Sequence, residues 1–496
     1  MRRTATVSIV SLLALGWMCA PARPIVSAAA APPAALAPAA PEARAVWIWG
    51  STVRAQGADA VAGGLEAAGV TDAILLVKGT AGTVAYPSAV APHAADVDTL
   101  GPFTEACHAR GIRVHAWLNY HQDDAFGART GKTYGIWHHG KFGAPPYPQN
   151  DGRVCPLRAK EEYDPYFLSI VSEILERYPV DGIHLDYIRY PHVVYCFCPA
   201  HQAKAEAEGI DLAHVRELII RTFYTPGDQK TYYEAIASGD PDAAKWAEMR
   251  SAEIEGVVRM VREAVDRHNA RRPARRPFVH LSAAFMPEGA LPDLMPGVAA
   301  RSDHYALAHY AQDYRRLSTG LSFVAPMAYH LDFGQGAEWV GRVVAGALSQ
   351  VAPNGSAVWA GIQTYDPPKP APKLTPKDVV DALAAARAQG ASGFALFRYA
   401  TTTTATWEAL VPTVGDVREA MSAAADAGWI DPDLVNSLEQ KLAAAEASIE
   451  AGQTRAAANQ LGAFANQLSA QSGKGVDARA ACALEADARW LADRLH

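Results

Sequence analysis

The sequence predicts an α/β fold: eight strand-then-helix units closing a parallel (β/α)8 TIM barrel, a long insertion after the fourth strand, and a small three-helix bundle at the C-terminus. Three observations carry this. Short apolar runs alternate eight times with helix-periodic stretches from Arg44 to about residue 404. Several helical stretches end in glycine just ahead of the next strand, at Gly69, Gly111, Gly320 and Gly390, where a helix terminus takes a residue at positive φ. The last seventy or so residues are Ala/Leu-rich, helix-periodic and almost free of strand formers. A doubly wound sheet is the alternative, but eight consecutive units favour closure.

In chain order, residues 1–30 read as a signal peptide. Arg2 and Arg3 precede an apolar run, Val7–Ala20, and small residues around Ser27–Ala30 offer a cleavage site. An Ala/Pro-rich spacer fills 31–43. The barrel is expected over 44–416 and the helical accessory domain over 424–496. The strands are Ala45–Gly50, Ala73–Gly79, Ile112–Tyr120, Gly182–Tyr190, Phe278–Met286, Phe323–Tyr329, Val358–Tyr365 and Gly393–Tyr399. Helices fall at Ala58–Ala68, Asp98–Arg110, Glu162–Tyr178, Asp303–Ser318, Ala337–Gln350 and Lys377–Gln389. Two connections exceed a minimal barrel, Asp123–Arg158 after strand three and His192–Arg276 after strand four. Both lie on the C-terminal face, where such barrels place their chemistry. Few contacts are expected between barrel and tail, so truncation near Val417 should leave a folded barrel.

Of the 496 residues, 50% are hydrophobic and 20% charged, which supplies a sizeable core and excludes wholesale disorder. The net charge of −7, with no basic stripe, argues against nucleic acid as a partner. Beyond the leader no apolar run reaches the roughly 18 residues of a membrane span. The reading is of an exported protein. Five cysteines follow the leader, too few for a disulfide scaffold. Cys155 with Cys196 or Cys198 is one bridge that an oxidising compartment would allow. The spacing His192-x3-Cys196-x-Cys198-x2-His201 alternatively allows a four-ligand zinc site.

Strand alternation on the fourth strand sets Ile183, Leu185 and Tyr187 outward, and His184 and Asp186 into the barrel. A carboxylate aimed into the top of a barrel must be paired, neutralised or used. Asp186 is therefore the candidate nucleophile or base; the structural alternative is an ion pair with Arg189 or Lys78. Other strand ends add polar and aromatic groups suited to a polyhydroxylated ligand: Trp49, Lys78, Asn119, Tyr120, His184, Arg189, Tyr190, Tyr329, Gln363 and Arg398.

The segment Asp181-Gly-Ile-His-Leu-Asp-Tyr-Ile-Arg-Tyr-Pro191 resembles the hallmark of the bacterial glycosyl-hydrolase-like barrel families, whose relatives include peptidoglycan glycosidases. Trp47–Trp49, Trp246 with Arg250, and Gln312-Asp313 leading to Ala325–Tyr329 agree with it. The resemblance spans about Arg44 to Thr404 and implies a barrel acting on a glycan, with Asp186 as the strand-four carboxylate. In the tail, Gly428, Trp429, Ile430, Lys441–Leu442, Gly452, Leu461, Phe464, Gly473–Lys474 and Asp487 resemble the helical FIMAH domain, which implies attachment or spacing.

Glycoside hydrolysis needs a second carboxyl group. Glu288, Asp332, Asp366 and Asp124 each follow a strand, and Glu288 is preferred because Met286-Pro287 would hold it at the mouth. The expected function is thus a secreted glycoside hydrolase on a polysaccharide or cell-wall glycan, with no cofactor and no metal in its site. Two rivals stay open: a barrel that binds glycan without turnover, and a metal-dependent carbohydrate deacetylase using the His/Cys loop.

Overall fold

The computed structural model describes residues 42–495 apart from 142–143, 150, 226–230, 274, 292–302, 368–372 and 427. The expected signal peptide and nearly all of the spacer lie outside the described residues. Eight parallel strands close the barrel in sequential order: β1 (Ala43–Trp49), β2 (Asp72–Lys78), β3 (Arg113–Asn119), β4 (Gly182–Asp186), β5 (His280–Phe285), β6 (Phe323–Ala328), β7 (Ala357–Gln363) and β8 (Gly393–Phe397). β8 hydrogen-bonds back to β1. All eight fall within two residues of their expected starts.

Alternation along the strands sorts the core into two layers. Trp47, Ile74, Trp117, Phe323, Ala325, Trp359 and Ala395 fill the lumen, with Phe323 and Trp359 stacked at 3.6 Å. The opposite parity, including Val46, Ile48, Ile183 and Leu185, packs under the helices. His184 joins the lumen: its Nε2 accepts from Trp47 Nε1 at 3.2 Å and its Nδ1 meets Ser282 Oγ at 2.9 Å. Burial lowers its pKa to about 3, so it is a neutral core residue.

The helix expected over Asp303–Ser318 is two, Asp303–Tyr310 and Tyr314–Ser318, separated where Ala311 takes φ 59° and Asp313 caps the second through Arg316 N. Gly69, Gly111 and Gly390 do adopt positive φ. Gly320 does not; its reason is space, since a Cβ there would sit 3.0 Å from Val258.

Among the described residues the insertion after β4 builds four helices ending in Pro241–Arg271, started by Asp240 accepting from the Asp242 and Ala243 amides. Val193, Phe197, Val215, Ile219, Tyr232 and Trp246 give it a core of its own. Arg250, fully buried, ties this layer to the barrel by donating to the Ala308, His309 and His192 carbonyls.

The tail contains the three expected helices, Pro432–Glu450, Thr454–Gln471 and Ala478–Arg494, and a fourth, Val414–Asp426, shares their core through Val417 and Met421. The expectation of few cross-contacts is corrected. Asp487 pairs with Arg44 at 3.0 Å and with Arg387 at 3.2 Å, and Arg387 also pairs with Glu42 at 2.6 Å. Arg494 donates to the Glu66 and Ala67 carbonyls. A Cβ at Gly69 would collide with the Trp490 indole. Arg44 opens β1, so the tail docks on the N-terminal end of the barrel, away from the mouth.

Candidate active site

Asp186 closes β4, in register with Asn119 at the end of β3. Its Oδ1 accepts from Arg189 Nη1 at 2.9 Å and from the Tyr187 amide at 2.6 Å. The ion-pair alternative is thus partly realised, with Arg189; Lys78 pairs elsewhere. The pair is not sealed away, because Arg189 lines a cleft of about 500 Å³ with His121, Gln122, Asp151, Arg153, Tyr187, Pro191, Met286 and Tyr310. Tyr187, expected to face outward, is corrected: the strand ends at Asp186, four residues short of the expected Tyr190, and φ 55° turns Tyr187 into the cleft wall.

Glu288 sits on the turn Pro287–Ala290 directly after β5, only 6% exposed. Its Oε1 accepts from Tyr310 at 3.3 Å, and its Oε2 is buried with no partner. Burial, opposed by its own backbone N–H, by the Tyr310 bond and by the Arg189 charge, raises its pKa to about 7. Arg189 therefore acts on both carboxyl groups. Gln312 fixes this corner: its Oε1 accepts from the Met286 amide and its Nε2 donates to the Ile188 and Ala284 carbonyls. The three competing carboxylates are exposed: Asp124 opens the helix Asp124–Arg129, Asp332 sits in the 3-10 turn His330–Phe333, and Asp366 is in a loop.

Of the other expected contacts, four remain at the mouth. Trp49 is 37% exposed, with the Arg398 guanidinium 3.7 Å over its ring. Asn119 has a buried, unpartnered Oδ1. Tyr329 stacks on Phe397, its hydroxyl unpartnered. Burial raises that hydroxyl's pKa, with smaller contributions from Tyr365 and Asp186.

Five others are corrected, each being fully buried. Lys78 follows a register shift at Leu76 and turns outward, pairing with Asp123 at 3.0 Å between Tyr163 and Phe167. Tyr120 also points outward, bonded to Asp164. Tyr190 binds His201 and Glu253 behind the cleft wall. His184 belongs to the lumen. Gln363 spends its amide on the Leu331 N–H, Asp332 and the Tyr365 carbonyl.

Sequence reasoning missed His121, whose two ring nitrogens are buried without partners in the cleft wall. Burial first, then Arg153 and Arg189, lower its pKa to about 3. It also missed Tyr310, Asp151 and Arg153, which arrive from connections with no strand parity to betray them. The expected metal set does not assemble as spaced: His192 packs on Phe223 and His309, and the cysteines converge with Cys155 instead.

Residues 414–493 match the FIMAH domain family model. The tail is similar to FIMAH domains. Among solved structures, the glycoside hydrolase domain of PgaB (BpsB) from Bordetella bronchiseptica shares 15% identity at a TM-score of 0.55, covering 75% of this chain and 96% of that one. An alpha-L-fucosidase isoenzyme 2 from Paenibacillus thiaminolyticus matches at a TM-score of 0.51 and 15% identity over 77% and 50% of the two chains. The fold is therefore a barrel of the kind that glycoside hydrolases use. An S-layer-related protein of Niallia circulans is 24% identical over 233 residues, which are 41% of this chain and 14% of that protein's length. No helix among the described residues is long and apolar enough to cross a membrane.

Proposed function

We propose that the chain is a secreted glycoside hydrolase acting on a polysaccharide or cell-wall glycan, with Asp186 as nucleophile or base and Glu288 as general acid. The carrying observation is Glu288: a buried carboxyl with one oxygen unpartnered and a pKa near 7, bonded to Tyr310 of the cleft wall, whose Arg189 holds Asp186. A carboxyl raised this far keeps its proton in about half of the molecules at neutral pH and can pass it to a leaving glycosidic oxygen. Asp186, oriented by Arg189 and the Tyr187 amide, would stabilise or attack the oxocarbenium-like centre. The Trp49–Arg398 shelf suits a sugar face, and Asn119 and Tyr329 offer free polar atoms for hydroxyls. The shared fold, the FIMAH-like tail, the basic-then-apolar leader and the likeness to an S-layer-related protein support action on a surface glycan.

The Asp186–Arg189 ion pair favours one rival, a barrel that binds glycan without turnover. Incubating the protein with bacterial polysaccharides and peptidoglycan, and measuring released reducing ends, separates them. Hydrolysis is expected, with kcat/KM falling as pH rises through about 7 and Glu288 deprotonates. Binding without reducing ends at any pH would leave the rival.

A further inference from the structure

We infer that Cys155, Cys196, Cys198 and His201 form a closed tetrahedral zinc site that locks the wall of the cleft. The four residues are buried, and their ligand atoms all lie within 4.8 Å of one another. Cys155 Sγ is 3.8 Å from Cys198 Sγ and 3.5 Å from His201 Nδ1, and Cys198 Sγ is 3.3 Å from the same nitrogen. Three sulfurs and an imidazole nitrogen around one point match the soft, four-coordinate preference of zinc over calcium or magnesium. All three cysteines are free thiols.

The outer shell is that of a metal site. His201 Nε2 faces Glu253 Oε2 at 3.0 Å, the carboxylate that fixes the ring so that Nδ1 points at the sulfurs. Tyr190 OH donates to the same carboxylate at 2.5 Å, and the Trp137 amide donates to Cys196 Sγ at 3.2 Å. Cys155 immediately precedes the helix Pro156–Arg177 and ends the connection that brings His121, Asp151 and Arg153 to the cleft. Cys196, Cys198 and His201 follow the segment that carries Tyr187, Arg189 and Pro191. One ion would pin both connections, with Tyr190 passing the constraint to the cleft side. Four protein ligands leave no position for substrate or water, so the metal's role is structural, and the deacetylase reading loses its metal-bound water.

The test uses the full chain. Protein purified from a zinc-replete host without chelator is assayed by elemental analysis, and a second sample is loaded with Co2+, whose visible bands report tetrahedral geometry and thiolate ligation. One zinc per chain and a tetrahedral, thiolate-rich Co2+ spectrum are expected. Cys155→Ser should cut bound metal at least tenfold, whereas His192→Ala should retain it. Should Cys155→Ser fail to fold, the parent's Co2+ spectrum and the His192→Ala stoichiometry still decide. Peptide mapping that finds Cys155 disulfide-bonded to Cys196 or Cys198, or a parent that binds neither metal, would overturn the site. Metal loss in His192→Ala with retention in Cys155→Ser would overturn this ligand set.

Discussion

The two ends of the barrel both bury polar groups, and they do it in opposite ways. At the N-terminal end Asp487 is shared by Arg44 and Arg387, and Glu42 completes the set. Nearby, Asp72 takes His115, Arg113 and the Thr71 hydroxyl. Every carboxylate there has partners. At the mouth, Glu288 Oε2, Asn119 Oδ1, the Tyr329 hydroxyl and both His121 nitrogens are buried with none. Compensated burial holds a domain in place; uncompensated burial costs stability and persists where a ligand is to be met.

The largest stability effect should come from the compensated end. Asp487→Ala strips Arg44 of its buried partner and Arg387 of one of two, and should cost about 3 kcal/mol by denaturant unfolding. Truncation before Val414 should lower the melting temperature at least as much. A variant as stable as the parent would make the docked tail an idle contact.

Glu288→Gln should go the other way. The native state binds the Glu288 proton more tightly than the unfolded chain does, so the parent loses stability as pH rises from 4.5 to about 7. The glutamine variant lacks that slope. It should match the parent near pH 4.5 and exceed it by up to about 3 kcal/mol near pH 8, while losing glycan cleavage. Parallel pH–stability curves would place Glu288 among the compensated groups.

The smallest stability effect belongs to the exposed shelf. Arg398→Ala should change stability by less than about 1 kcal/mol and weaken glycan binding several-fold, measured by calorimetry or KM. Unchanged affinity would remove the Trp49–Arg398 pair from the ligand path.

What the sequence revealed follows from how local each signal is. Eight strands and the inward parity of His184 and Asp186 were legible because alternation is written into consecutive residues. Parity failed where the backbone departs from it: the register shift before Lys78 turned a mouth lysine into a buried partner of Asp123, and positive φ turned Tyr187 into the cleft. Strand-end aromatics such as Tyr120 and Tyr190 were overread, since sequence does not show which side of a wall a ring occupies. Cys155 stands about forty residues from Cys196, so spacing alone nominated His192 in its place. The docking of the tail rests on single charged residues of separate domains, which no periodicity marks.

The central claim, that Asp186 and the uncompensated Glu288 at the mouth are the catalytic carboxyl groups, is tested most directly by the turnover of Asp186→Asn on a glycan that the parent cleaves. The substitution keeps shape and can still accept from Arg189 and the Tyr187 amide, while removing the charge. A loss of a thousandfold or more, about 4 kcal/mol of barrier, with an unchanged cooperative melt is the predicted result. Near-parent turnover by a well-folded Asn variant would contradict it.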